Sequence, residues 1–380
     1  MQAIVNNFVP LLFLTFQGSY GISLQKITLL VTFNFGIQLL VDLASIGFVD
    51  RIGYRASMIL AHAMAAAGLI LLTVLPECLG DPFVGLLIAV MIYAIGGGLL
   101  EVLVSPVVEA CPTDNKEKAM SLLHSFYCWG AVGTILVSTV FFLLFGIGSW
   151  KWLAVIFALI PAINIINFAT CPIESLVEEG QGMEIRKLFS NPMFLIAIVM
   201  MVCSGASELA MAQWASAYAE SALGFSKAVG DIAGPCMFAV TMGISRVLFG
   251  KAGDKMKLNR FMIGSGILCF VCYLLASFSE NPIIGLAGCI VCGFSVGIMW
   301  PGTISISSKA FPTGGTAMFA LLAMAGDLGG SIGPAIVGRV ADMFGGSIHV
   351  GMRIGLLFPI TLCFMLFLFN IMNHNANKQK

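Results

Sequence analysis

Apolar residues run along this 380-residue chain in long blocks separated by short polar breaks. The blocks fall at 2–20, 27–49, 56–76, 83–109, 119–145, 151–171, 193–219, 229–250, 261–277, 283–308, 316–339 and 351–370. A helix rises about 1.5 Å per residue, so blocks of this length approach or cross a hydrocarbon layer about 30 Å thick. The pattern predicts an all-α membrane protein with twelve transmembrane helices. One long polar stretch, 172–191, carries Glu174, Glu178, Glu179, Glu184, Arg186 and Lys187. It divides the chain into an N-terminal six-helix bundle over 1–171, a solvated cytoplasmic linker over 172–191, and a C-terminal six-helix bundle over 192–380.

Composition agrees with that division. Hydrophobic residues make up 59% of the chain and charged residues 10%, against about 25% charged in soluble proteins. So few charges cannot cover a water-facing surface, and membrane lipid must be the solvent. Net charge is zero, which offers nothing to nucleic acid. The 42 glycines suit close approach of membrane helices. Placing both termini in the cytoplasm puts fourteen of the nineteen Lys and Arg residues on that side, leaving Lys26, Lys151, Lys227, Arg339 and Arg353 outside. A multi-pass protein of the cell membrane is expected, as a monomer. The N-terminus has no basic region or cleavage site, so 2–20 reads as a membrane span and not a signal peptide.

The eleven cysteines lie mostly in apolar blocks and form no disulfide framework. Cys269-x-x-Cys272 and Cys289-x-x-Cys292 have zinc-like spacing but no partner histidines, and read as small packing residues. No metal or cofactor is expected. No nucleophile elbow or phosphate-binding glycine loop stands in its required context, so no enzyme is expected either.

The two halves repeat each other. Gly21-Ile22-Ser23 matches Gly224-Phe225-Ser226, Asp50 matches Asp254, Ala110-Cys111-Pro112-Thr113 matches Ala310-Phe311-Pro312-Thr313, and Ala119-Met120 matches Ala317-Met318. Offsets of 203, 204, 200 and 198 argue for a duplicated six-helix unit. By the same offset the first span lacks roughly ten residues relative to the seventh, so the natural chain is expected to begin upstream of Met1.

Glu101 stands out within its apolar block. It precedes Pro112 by eleven residues, about 16 Å of helix and near the bilayer midplane. A charge there costs at least about 2.5 kcal/mol, so such a residue faces protein or a wet cavity and reads as functional; the alternative is a neutral acid in one hydrogen bond between helices. In a low-dielectric site the neutral acid is favoured. It can take a proton, donate a hydrogen bond to a solute hydroxyl, and lose both when ionised. His124, one span later, either relays that proton or makes a buried hydrogen bond. Glu208 and Asp327 lie near mid-depth of their spans, with lining and structural roles both open. Asp42 and Asp231 lie nearer span ends and read as structural. Trp129, Trp214 and Trp300 either stack on a ring-shaped solute or pack between helices.

Gly47-Phe48-Val49-Asp50-Arg51-Ile52-Gly53-Tyr54-Arg55 follows the second span, and Gly250-Lys251-Ala252-Gly253-Asp254-Lys255, preceded by Arg246, follows the eighth. The first resembles the G-x-x-x-D-R-x-G-x-R loop of the major facilitator superfamily. The resemblance implies two bundles about a central cavity and a conformational gate built from Gly47, Asp50, Arg51, Gly53, Arg55, Arg246, Gly250 and Asp254. Leu100-Glu101 with Pro106, then Leu122-Leu123-His124-Ser125-Phe126-Tyr127 with Gly130, resembles the fucose-permease-like sugar:proton symporters. Gly205-Ala206-Ser207-Glu208 with Trp214 and Tyr218 is similar to the same branch. That likeness implies proton coupling at Glu101 and solute contact at Asn7, Glu101 and Tyr127. In the family, the place of Asn7 holds an Asp and the place of Tyr127 an Asn. The expectation is a secondary transporter that moves a small polar solute, a sugar, by alternating access coupled to protons. The alternative is a proton-coupled multidrug or metabolite exporter of the same fold.

Overall fold

The structure, a computed structural model, describes residues 1–22, 24–173, 183–223, 232–252, 257–279, 281–344 and 347–378. Among these residues there is no strand, and the helices follow the apolar blocks. Ten helices among the described residues are long and apolar enough to cross a membrane. The two other predicted spans are helical as well. Block 27–49 lies within the helix Leu24–Ile52. Block 2–20 folds as Gln2–Asn7, a tight 3₁₀ turn Val9–Leu12, and Phe13–Tyr20. Pro10 accounts for that break, because it has no N–H for the helical ladder and its ring crowds the preceding turn.

Helix starts repeat between the halves. Asp81 Oδ1 accepts from Phe83 N at 2.9 Å ahead of the helix Pro82–Ala110. Asn281 Oδ1 accepts from Ile283 N at 2.9 Å ahead of the helix Pro282–Val296. In each case a capping side chain takes up an amide that the helix leaves free, and proline fills the first helical position. The two caps are 200 residues apart, the same offset as Pro112 and Pro312.

The chain forms two compact units. Met1–Cys111 with Gly130–Gly182 make one; Pro112–Trp129 with Met183–Lys380 make the other. The opening part of the helix Lys116–Phe145 therefore belongs with the second unit. In the first unit, Tyr54–Cys78 packs closely on Pro82–Ala110. A methyl group built at Gly85 would lie 2.5 Å from the Leu75 carbonyl carbon, and one at Gly96 would lie 2.4 Å from Ala61 O. In the second unit, Pro192–Leu223 packs on Gly315–Met343, with the corresponding distances 2.1 Å from Gly205 to Gly326 O and 2.0 Å from Gly329 to Val202 O. Small residues bring the helix backbones together where lipid supplies no hydrophobic drive.

Aromatic side chains fill the first core. Phe8 meets Phe157 edge-on at 5.2 Å, and Phe16 meets Trp150 at 5.3 Å. Cysteines are prominent in the second. Cys269 and Cys292 sit with their Sγ atoms 3.8 Å apart between adjacent helices, and Cys272 and Cys289 are buried beside them. The outer faces carry exposed large apolar residues, among them Leu143, Trp152, Ile267 and Phe367. In a membrane these residues face hydrocarbon.

Candidate functional site

Among the described residues, polar side chains gather inside each unit. In the first, Gln2 Nε2 donates to Glu101 Oε2 at 3.1 Å and to Gln38 Oε1 at 2.9 Å. Gln38 Nε2 donates to Asn6 Oδ1 at 3.0 Å, and Asn34 Nδ2 donates to the same oxygen at 3.1 Å. Gln38 is fully buried and Asn34 nearly so, while Glu101 is partly exposed. The amide oxygens of Gln2 and Asn34 are buried with no hydrogen-bond partner among the described residues.

Local sequence builds this chain of amides. Gln2 and Asn6 are four residues apart on one helix, as are Asn34 and Gln38 on another, so each pair lines one face. Gly97 and Gly98 let those helices close on the Glu101 helix. A methyl group at Gly97 would lie 3.1 Å from Gln2 Oε1, and one at Gly98 would lie 2.9 Å from the Gln38 backbone. Sequence reading singled out Glu101 but passed over the four amides. The signal available was their recurrence at four-residue spacing inside apolar blocks.

Asn7 stands beside this cluster without joining it. Its Nδ2 donates to Ala3 O of its own helix at 2.8 Å, and Asn6 makes the contacts between helices.

In the second unit, Arg246 is buried within the helix Met237–Ala252, although its charge suggested a place among the cytoplasmic loop cations. Its Nη2 lies 3.3 Å from Glu208 Oε2, its Nε donates to Gly297 O at 2.8 Å, and its Nη1 donates to His124 O at 2.8 Å and Cys128 Sγ at 3.0 Å. Ser121 Oγ donates to Arg246 O at 2.8 Å. One guanidinium thus ties four helices of the unit.

The Gly297 contact has a covalent origin. Pro301 has no N–H with which to close the helical bond to the carbonyl four residues before it. The helix gives way between Val296 and Met299, and Arg246 takes the carbonyl. The offset of 200 set by the caps pairs Pro301 with Glu101, and Trp300 with Leu100. One repeat therefore carries an acid where the other carries a helix breaker. At the offset of 204, Arg246 pairs with Asp42, which is also completely buried.

The remaining predicted residues are distributed as follows. His124 and Tyr127 are partly buried and Trp129 is 39% exposed, all on the part of their helix that belongs to the second unit. A methyl group at Gly243 would lie 3.1 Å from the Trp129 indole. Trp300 lies against Gly326, beside the buried Asp327. Trp214 Nε1 donates to Pro334 O at 3.2 Å.

Among the gate residues, Gly53 has φ +83° and starts the helix Tyr54–Cys78, a conformation that favours glycine. Arg55 Nη1 donates to Phe168 O and Ala169 O, each at 2.9 Å, at the end of the helix Trp150–Thr170. Arg51 is exposed, and Gly47 faces open space. Gly250 accommodates Leu122, where a methyl group would lie 2.6 Å away. The Asp50 side chain and all of Asp254, Asp231 and Gly224-Phe225-Ser226 lie outside the described residues, as do Ser23, Glu174, Glu178, Glu179, Gly253 and Lys255.

Long apolar helices in two units, each enclosing polar groups that lipid would exclude, define a multi-pass membrane protein. The Major Facilitator Superfamily profile matches residues 1–334, and the chain belongs to that family, whose members are transporters and not enzymes. No curated protein sequence matches the chain. Among solved structures, the E. coli fucose:proton symporter superposes with TM-score 0.80 at 17% identity, over 97% of this chain and 95% of that one. A proton:xylose symporter gives 0.81 at 13% identity, over 97% and 92%. The human organic anion transporter MFSD10 gives 0.72 at 14% identity, over 93% and 88%. These likenesses establish the shared fold.

Proposed function

We propose that the chain carries a small polar, sugar-like solute together with protons by alternating access across the cell membrane, with both termini cytoplasmic. The observation that carries this reading is the partly exposed Glu101 at the end of a chain of amides, two of whose buried oxygens have no hydrogen-bond partner among the described residues. Carboxamides and a neutral acid match solute hydroxyls, which both donate and accept. Glu101 is the proton-coupling group, because only its neutral form donates a hydrogen bond. Gln2, Asn6, Asn34 and Gln38 join it on the solute side. His124, Asn7, Tyr127, Trp129, Glu208, Trp214, Trp300 and Asp327 remain proposed contributors. The fold shared with fucose and xylose symporters supports the same reading. An anionic solute fits the described residues less well, since the guanidinium of Arg246 is engaged by Glu208 and by backbone carbonyls.

Proteoliposomes test this. With an inward proton gradient the protein should accumulate one or more hexoses or pentoses. Glu101→Gln should abolish accumulation while solute exchange at equal concentrations persists. Undiminished uphill uptake by that variant removes Glu101 from the coupling role. Gradient-driven dye efflux without sugar uptake selects the exporter reading.

A further inference from the structure

We propose that the second unit carries a binding groove for an anionic phospholipid at the start of the helix Leu258–Phe278. The groove encloses about 480 Å³ and is lined by Lys257, Arg260, Phe261, Gly264, Leu268 and Phe294. Its two ends differ in chemistry. Lys257 and Arg260 are exposed at one end and enter no ion pair among the described residues. Lys257 is also the residue before the first helical turn, which has no side-chain cap, so the positive end of the helix dipole adds to the two cations.

The other end is apolar and leads onto an exposed stripe on the same helix, Ile267, Val271 and Leu275. Gly264 opens the way between the two, because a methyl group built there would meet nothing within 4 Å. Cations at the membrane edge followed by a slot and an apolar track match a phosphate headgroup with an acyl chain attached. A free phosphate would use the cationic end alone. Basic recesses between membrane helices suit anionic headgroups on these grounds.

Two cations near the headgroup together amount to roughly thirtyfold in affinity. The test is lipid titration of the purified full chain by native mass spectrometry, comparing phosphatidylglycerol with phosphatidylcholine of identical chains. The unaltered protein should prefer phosphatidylglycerol by about that factor, and Lys257→Gln with Arg260→Gln should remove the preference. Both side chains are exposed, so the variant keeps its fold; unchanged unfolding without lipid checks this. Gly264→Leu, which fills the slot and keeps both charges, should weaken binding of both lipids. A preference that survives loss of both cations overturns the proposal. So does release of the lipid by glycerol phosphate as readily as by phosphatidylglycerol, since the groove would then read a headgroup without its chain.

Discussion

Arg246→Met keeps an unbranched apolar stem and removes every polar contact the side chain makes. Two groups then lose partners they cannot replace locally. The Glu208 carboxylate, 9% exposed, is left without its cation. The Gly297 carbonyl is left without a donor, because position 301 is proline. His124 O keeps its place in a continuous helix. Removing one member of a buried ion pair costs roughly 3–5 kcal/mol, and an orphaned carbonyl adds about 1–3 kcal/mol. Proton uptake by Glu208 relieves part of the first cost, so the expected loss is about 3–5 kcal/mol at neutral pH.

Two further variants separate the contributions. Glu208→Gln combined with Arg246→Met should cost less than the sum of the single changes, by up to about 3 kcal/mol. Pro301→Ala returns an N–H for Gly297 O and should recover about 1 kcal/mol in the Arg246→Met background, but little where Arg246 already fills that carbonyl. The assay is equilibrium unfolding of the purified chain in mixed micelles, followed by tryptophan fluorescence. The reasoning is refuted if Arg246→Met falls within about 1 kcal/mol of the parent, if the two single costs add, or if Pro301→Ala acts equally in both backgrounds.

Three other outcomes follow from the packing and the amide chain. Gln38→Leu severs the link between Asn6 and Gln2, and should destabilise by about 1–3 kcal/mol and lower sugar uptake more than it lowers the amount of folded protein in the membrane. Gly329→Ala puts a methyl group 2.0 Å from Val202 O, a backbone atom; parting the two helices should cost about 1–3 kcal/mol, seen as an earlier unfolding midpoint. Trp214→Phe keeps an aromatic ring against Gly338 but loses the bond to Pro334 O, and should cost about 1 kcal/mol in the same assay.

Particular residues show how far the sequence could be read. Glu101 was legible because a lone acid deep in an apolar block has few explanations. Its partners were not, since Gln2 and Gln38 lie 99 and 63 residues away along the chain, and an uncharged amide raises little signal in a hydropathy pattern. Arg246 was read as a loop cation because the repeat places it near the gate motif. Its burial depends on Glu208, His124 and Gly297, brought to it from three other helices. The consequence of Pro301 was half visible. Proline predicts a freed carbonyl, but which donor takes it depends on which helix packs alongside.

Amino-acid order alone determined the apolar blocks, the break at Pro10, the paired caps at Asp81 and Asn281, and the internal duplication. Each follows from local rules of solvation, backbone donors and glycine or proline geometry, which act over a few residues. Tertiary structure alone decided that Asn6 rather than Asn7 reaches between helices, that Arg246 meets Glu208, and that glycines let particular backbones touch. Those outcomes turn on the facing of helices distant in sequence, where an ångström of separation decides whether a polar group finds a partner.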